Sequence, residues 1–359
     1  MNAASSEIVF DRRGTAGLVT LNRPQALNAV TLGMVRMLTR QLKEWASDAG
    51  VSRVILTAAG GRAFSAGGDI RALYDAGTAR RYDEMLSFYG EEYVLNTILK
   101  NYPKPYVSLI DGIVMGGGVG LSVHGSHRVA GDRFSFAMPE VSIGFFPDVG
   151  ATWFLPRLPG QLGAYCALTG ERLSAADGVY AAIATHRVSS ARFAELADAL
   201  CGAVPVEATL AAFAEHGEEG TIAQRRAAID RLFDGQRVED ILSALDAAAI
   251  AGGADADFAK ATAATIRAKS PTSLKLALAQ VRAGASLSFD ACMQTEFRIV
   301  SRVIKGHDFY EGVRAVIVDK DNAPRWRPAT LTDVSDDAIA AHFAPLAAGK
   351  LALLHTDRS

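Results

Sequence analysis

Apolar and polar positions recur along this chain in two periods, and the switches between them mark its elements. Ile8-Val9-Phe10 and Leu18-Val19-Thr20-Leu21 are short β-prone runs around Gly14 and Gly17, which reads as a hairpin. Leu32, Val35, Leu38, Leu42 and Trp45 then recur at helical spacing, an amphipathic helix behind the turn at Asn22-Arg23-Pro24. Val54-Ile55-Leu56-Thr57 is a third strand, closed by a turn at Gly60-Gly61, and Tyr106-Val107-Ser108-Leu109-Ile110 is a buried strand. Arg128-Val129-Ala130 and Phe134-Ser135-Phe136-Ala137 make two more, separated by Gly131-Asp132. Strands alternating with helices up to about residue 200 predict an α/β domain.

Beyond that point the pattern is helical. An alanine-rich region runs from Phe193 to about Lys269, with breaks at Gly217, Gly220 and Gly252-Gly253. Helix is predicted again from Ser270 to Ile304 and from Asp308 to Val318. Pro324, Pro328 and the polar stretch Thr330 to Asp337 predict a loop, followed by a short helical tail. The expected organisation is a core over residues 1–200, an α-helical region over 201–330 and an extension over 331–359.

Composition narrows the class. Of 359 residues, 49% are hydrophobic and 21% charged, which fits a packed globular chain and not a disordered one. The net charge of -2 lacks the basic footprint of a nucleic-acid binder. Cys166, Cys201 and Cys292 are widely spaced and odd in number, so neither a disulfide framework nor a zinc spacing is predicted, and a reducing compartment is. The start, Met1-Asn2-Ala3-Ala4-Ser5-Ser6-Glu7, shows neither a signal peptide nor an Arg-rich presequence, and the most apolar stretch is broken by Asp111 and glycines. A cytoplasmic protein, bound to neither membrane nor nucleic acid, is the expectation.

Two glycine-rich segments carry candidate chemistry: Phe64-Ser65-Ala66-Gly67-Gly68-Asp69-Ile70, and Met115-Gly116-Gly117-Gly118-Val119-Gly120-Leu121. Taken singly, each is explained by tight turns and close packing. The second is not a dinucleotide fingerprint, because Leu121 stands where GxGxxG needs its last glycine. Together, two such loops leading from strands into helices can present two backbone N–H groups to one oxygen, as an acyl-transfer transition state requires. A buried carboxylate follows from periodicity. Met85, Phe88, Glu92, Leu95 and Leu99 form one helical stripe, so Glu92 lies with the apolar face. It is either a functional carboxylate or an edge residue satisfied by nearby tyrosines. His124 and His127 lack further metal ligands nearby, Ser65 lacks a nucleophile elbow, and Cys166 sits on an apolar face.

These motifs resemble those of the crotonase, or enoyl-CoA hydratase/isomerase, superfamily. Leu21-Asn22-Arg23-Pro24-Gln25-Ala26-Leu27-Asn28-Ala29 is similar to its opening motif, and the two glycine segments are similar to its oxyanion-hole segments. The resemblance implies a ClpP-like α/β spiral of stacked ββα units with an α-helical C-terminal region. It implies N–H donors at Gly68 and Gly117, and a coenzyme A groove near Arg23, Ala26, Ala66, Gly67, Asp69 and Arg71. Hydratases use two glutamates. The first position is Gly120 here, while the second, in Met138-Pro139-Glu140, is present. Phe146-Pro147-Asp148-Val149-Gly150, Ser270-Pro271-Thr272-Ser273-Leu274-Lys275 and Asp308-Phe309-Tyr310-Glu311-Gly312 resemble the superfamily's 3-hydroxyisobutyryl-CoA hydrolase branch.

That branch implies hydrolysis of a short β-hydroxyacyl-CoA, a step of valine degradation. Glu140 would attack the thioester or activate water, and Asp148 and Glu92 would hold the β-hydroxyl or position water. Coenzyme A enters with the substrate, without a metal or redox cofactor. A homo-oligomer is expected only by analogy with relatives. The alternatives are an enoyl-CoA hydratase or isomerase, and a crotonase-fold RNA-binding protein, against which the near-neutral charge argues.

Overall fold

The computed structural model describes residues 6–215, 219–347 and 351–352. Met1–Ser5 and the predicted break at Gly217 lie outside the described residues. The predicted hairpin forms as β1 (Ile8–Arg13) and β2 (Ala16–Leu21), paired antiparallel with Ile8 opposite Leu21. Thr31 caps α1 (Leu32–Ser47) by accepting from Met34 N at 3.2 Å. The stripe read from the sequence buries Val35, Leu38, Leu42 and Trp45.

The strands then alternate between two sheets. β3 (Arg53–Ala58), β5 (Tyr106–Ile110), β7 (His127–Ala130) and β9 (His186–Arg187) extend the hairpin in the order β1-β2-β3-β5-β7-β9. Every pairing in this sheet after β1–β2 is parallel. β4 (Ala63–Ser65), β6 (Ile113–Met115) and β8 (Ser135–Ala137) form a second, parallel sheet in the order β4-β6-β8. Each repeat thus gives one strand to the large sheet, the next to the small sheet, and then turns into helix. This is the ββα spiral that the resemblance implied. The helices that follow are α2 (Ile70–Thr78) and α3 (Tyr82–Lys100) after β4, and α4 (Gly117–Ser122) after β6.

The large sheet is covered on both faces, as a parallel sheet must be. Val54 and Leu56 face the main core. Ile55, Val107, Leu109 and Val129 face Leu196, Leu200, Leu210 and Phe213 of the helices Phe193–Leu200 and Val206–Phe213.

The remaining chain is helical. The span predicted from Ser270 to Ile304 is two helices, Pro271–Gly284 and Phe289–Val303, and Ser288 caps the second. The polar stretch 330–337 is not wholly a loop. Leu331–Asp333 makes a 3₁₀ turn, and Ser335 accepts from Ala338 N to start the helix Asp336–Phe343. A polar run carries no apolar period, so a cap inside it is easily read as loop.

Candidate active site

The small sheet explains why segments far apart in sequence meet. Its three strands are parallel and adjacent, so their C-terminal ends lie side by side. β4 runs out into Ala66-Gly67-Gly68, β6 into Gly116-Gly117, and β8 into Met138-Pro139-Glu140. Ligands of parallel α/β sheets bind at this end. A cavity of about 220 Å³ opens here, and Ala66, Gly67, Gly68, Gly117, Glu140 and Asp148 line it. Phe88, Tyr89 and Glu92 of α3 form another wall, and Phe145, Val316 and Ile317 give it an apolar side.

The glycines permit this convergence. A Cβ at Gly117 would lie 2.6 Å from Oε1 of Glu92 and 3.2 Å from the nitrogen of Gly68. Gly67 has a φ of +113° and Gly116 a φ of +43°, both in the left-handed half of φ space that glycine adopts freely. Asp69, the residue after Gly68, caps α2 by accepting from Ala72 N at 3.2 Å. Neither the Gly68 nor the Gly117 N–H finds an acceptor among the described residues.

Three carboxylates share the cavity, and no Lys, Arg or His among the described residues lines it. Glu92 and Glu140 are 2% and 6% exposed, and Asp148 is 4%. Oε1 of Glu92 and Oε2 of Glu140 are buried with no hydrogen-bond partner among the described residues, as is the Tyr89 hydroxyl. No tyrosine therefore satisfies Oε1 of Glu92, and its neighbour Glu91 is the solvated one, paired with Arg36 at 2.6 Å. Burial, reinforced by the Asp148 charge, raises Glu140 and Glu92 well above the usual carboxylate range. Asp148 is raised by burial and pulled back by the Tyr93 hydroxyl, which donates to its Oδ2 at 2.9 Å. The Asp148 side chain does not cap the helix Ala151–Phe154, which starts from Gly150 without a side-chain cap.

The other residues expected along a coenzyme A groove lie outside this cavity. Arg23 ties Glu7 at 2.9 Å to Asp69 at 3.1 Å and donates to Ala29 O. Ala26 sits on the 3₁₀ turn Pro24–Ala26, and Arg71 is exposed and paired with Asp75. None of Arg23, Ala26, Asp69 and Arg71 lines the cavity. His124 is buried, with Nε2 donating to Val149 O at 2.7 Å.

A fourth buried carboxylate, Glu296, was not singled out from the sequence. It accepts from Gly150 N at 2.8 Å and Thr152 N at 2.9 Å. The signal that exposed Glu92 was available for it: Phe289, Cys292, Met293, Ile299, Val300 and Val303 form an apolar stripe that carries Glu296.

Comparison with known proteins fits this geometry. A family model described as enoyl-CoA hydratase/isomerase matches residues 16–343. A curated relative from Danio rerio, named 3-hydroxyisobutyryl-CoA hydrolase, mitochondrial, is 45% identical over 96% of this chain and 91% of its own length. The Homo sapiens relative of the same name is 42% identical over 97% and 91%. Among solved structures, a carnitinyl-CoA dehydratase from Mycobacterium thermoresistibile is 42% identical with a TM-score of 0.91, covering 97% of this chain and 99% of its own. An enoyl-CoA hydratase from Rhodobacter sphaeroides is 37% identical with a TM-score of 0.87, covering 95% and 98%. The curated relatives are named mitochondrial, which overturns the cytoplasmic expectation. That expectation rested on unpaired cysteines and on the first residues, and unpaired thiols do not separate one reducing compartment from another.

Proposed function

The chain belongs to the enoyl-CoA hydratase/isomerase family, and from that premise we propose that it hydrolyses the thioester of 3-hydroxyisobutyryl-CoA to 3-hydroxyisobutyrate and coenzyme A. The observation that carries this reading is the pairing of two unpartnered N–H groups, of Gly68 and Gly117, with an unsatisfied Glu140 oxygen on one cavity. The thioester oxygen takes both N–H bonds, which strengthen as negative charge develops on it. Glu140 then follows one of two routes. It attacks the carbonyl carbon, the C–S bond breaks, thiolate leaves, and water cleaves the resulting anhydride to restore the carboxylate. Otherwise it takes the proton of a water that attacks directly. Asp148 accepts the β-hydroxyl of the acyl chain, and Glu92 holds that hydroxyl or the water. The coenzyme A portion arrives with the substrate, and no step requires a metal or redox group.

The names of the solved relatives favour a second reading, addition or removal of water across a carbon–carbon double bond. Gly120 argues against the two-glutamate form of that chemistry. A Cβ there would lie 2.8 Å from Asn96 Nδ2 and 2.8 Å from Val149 Cβ, so a longer side chain has no room. Thiol release across a panel of acyl-CoA thioesters tests the proposal. It should be fastest from 3-hydroxyisobutyryl-CoA and slower from acetyl-CoA. Fast hydration of crotonyl-CoA without thiol release would replace it with the second reading.

A further inference from the structure

Asp148 sits in a backbone segment that does not hold its shape unaided. Val149, the next residue, has a φ of +53°, a left-handed conformation that a β-branched side chain strongly disfavours. Gly150 follows at +90°, and a Cβ there would lie 2.5 Å from the His124 ring. Such a conformation persists only where its surroundings over-determine it.

The surroundings here are buried polar side chains from separate helices. Glu296, on Phe289–Val303, accepts from Gly150 N at 2.8 Å and Thr152 N at 2.9 Å. His124, just beyond α4, donates from Nε2 to Val149 O at 2.7 Å. Burial lowers its imidazole to about 3, so the ring is neutral and its one N–H is committed to that carbonyl. Gln280, on Pro271–Gly284, donates to Pro147 O. Three peptide units between Pro147 and Thr152, one before Asp148 and two after it, are thus gripped from outside the cavity, and none of these three side chains lines it.

We propose that Glu296 and His124 are positioning residues that hold Asp148 at the substrate through the strained Val149–Gly150 backbone, and so set the preference for a β-hydroxylated acyl chain. The inference rests on the assignment of Asp148 to the β-hydroxyl. Glu296 does not line the cavity; its two accepted bonds fix the backbone two and four residues beyond Asp148, and so act on the carboxylate through Val149. Glu296→Gln keeps the volume but offers one amide oxygen where two N–H groups need acceptors, so the loop shifts without leaving a void.

The test is a double-mutant cycle on two substrates, 3-hydroxyisobutyryl-CoA and isobutyryl-CoA, which lacks the hydroxyl. Glu296→Gln should lower kcat/KM on the hydroxylated thioester by about tenfold or more and on isobutyryl-CoA by less than about threefold, as expected of a misplaced positioning group. In an Asp148→Asn background, Glu296→Gln should cost less than about threefold on either substrate, because its partner is already gone. Equal losses on both substrates, repeated in full in the Asp148→Asn background, overturn the proposal and leave Glu296 a purely structural residue. His124→Leu, which removes the donor to Val149 O, carries the same cycle where Glu296→Gln does not fold. Failure of both variants to fold also overturns the proposal, since these residues would then hold the fold and not the carboxylate. Should the wild type release no thiol, the cycle is read on enoyl absorbance with 3-hydroxyisobutyryl-CoA alone, where Glu296→Gln should again cost about tenfold in the wild-type background and less than about threefold in the Asp148→Asn background, and equal costs in the two would overturn the proposal.

Discussion

Glu92 and Glu296 occupy equivalent places on two helices and meet opposite fates. Each lies on an apolar stripe, Glu92 on α3 and Glu296 on Phe289–Val303, and they are 2% and 0% exposed. Glu296 spends both oxygens on backbone N–H groups, which offsets much of the cost of its burial. Glu92 keeps Oε1 unpartnered and faces the cavity. A buried acceptor left unsatisfied costs on the order of 1–3 kcal/mol, so the two regions divide into one that fixes the backbone behind the site and one that holds a group in reserve for a ligand. Glu140, with its free Oε2, belongs with Glu92.

The largest effect expected from this division is at Glu140. Glu140→Gln should lower kcat by at least ~100-fold, the low end for a general base, with little change in melting temperature. Near wild-type turnover in a folded variant would remove Glu140 from the chemistry. Asp148→Ala comes next. It should erase about 1–3 kcal/mol of the preference for a β-hydroxylated over a saturated thioester, the value of a hydrogen bond to a charged group. An unchanged substrate ratio would show that Asp148 does not read the hydroxyl.

The comparison itself breaks or holds on a pair of isosteric changes. Glu92→Gln should slow turnover and leave the melting temperature level or higher, because it removes a buried ionisable group whose charged form nothing balances and which must stay protonated to be tolerated. Glu296→Gln should lower the melting temperature, because one N–H loses its acceptor. If Glu92→Gln destabilises and spares turnover, the two regions do not differ in the way described.

A smaller effect appears in the pH dependence of stability. Burial and the nearby Asp148 push Glu296 up to about 8, against the pull of its two N–H bonds, from an ordinary value of 4.5. Glu92, Glu140 and Asp148 are raised in the same direction. Between those two values the native state binds more protons than the unfolded chain, so stability falls as pH rises. The melting temperature should therefore be higher at pH 5.5 than at pH 8, and the opposite order would mean that these carboxylates are ionised in the native state.

Much of this was legible in the sequence because it is written in periods and punctuation. The stripe containing Glu92 set its burial, and the glycine segments announced backbone that a side chain would obstruct. Motif order supplied Glu140 and Asp148. The second sheet was harder to see. β4 and β6 are three residues long, too short for an alternating pattern to register, and β8 read as one more strand without a sheet of its own. Yet the parallel pairing of those strands is what brings the three site segments together. Arg23 and Asp69 lie near the expected groove in sequence but pair with each other, a tertiary contact across 46 positions that no local pattern encodes. Glu296 was missed for another reason. Its stripe was visible, but its partners, Gly150 and Thr152, lie more than 140 positions away.

The most direct test of the central claim is to incubate the wild-type protein with 3-hydroxyisobutyryl-CoA and follow free thiol and enoyl-thioester absorbance in the same sample. The account predicts that thiol appears in step with substrate loss and that no enoyl absorbance develops. Enoyl absorbance rising without thiol would contradict it, and would mean that Glu140 acts on the carbon–carbon bond and not on the thioester.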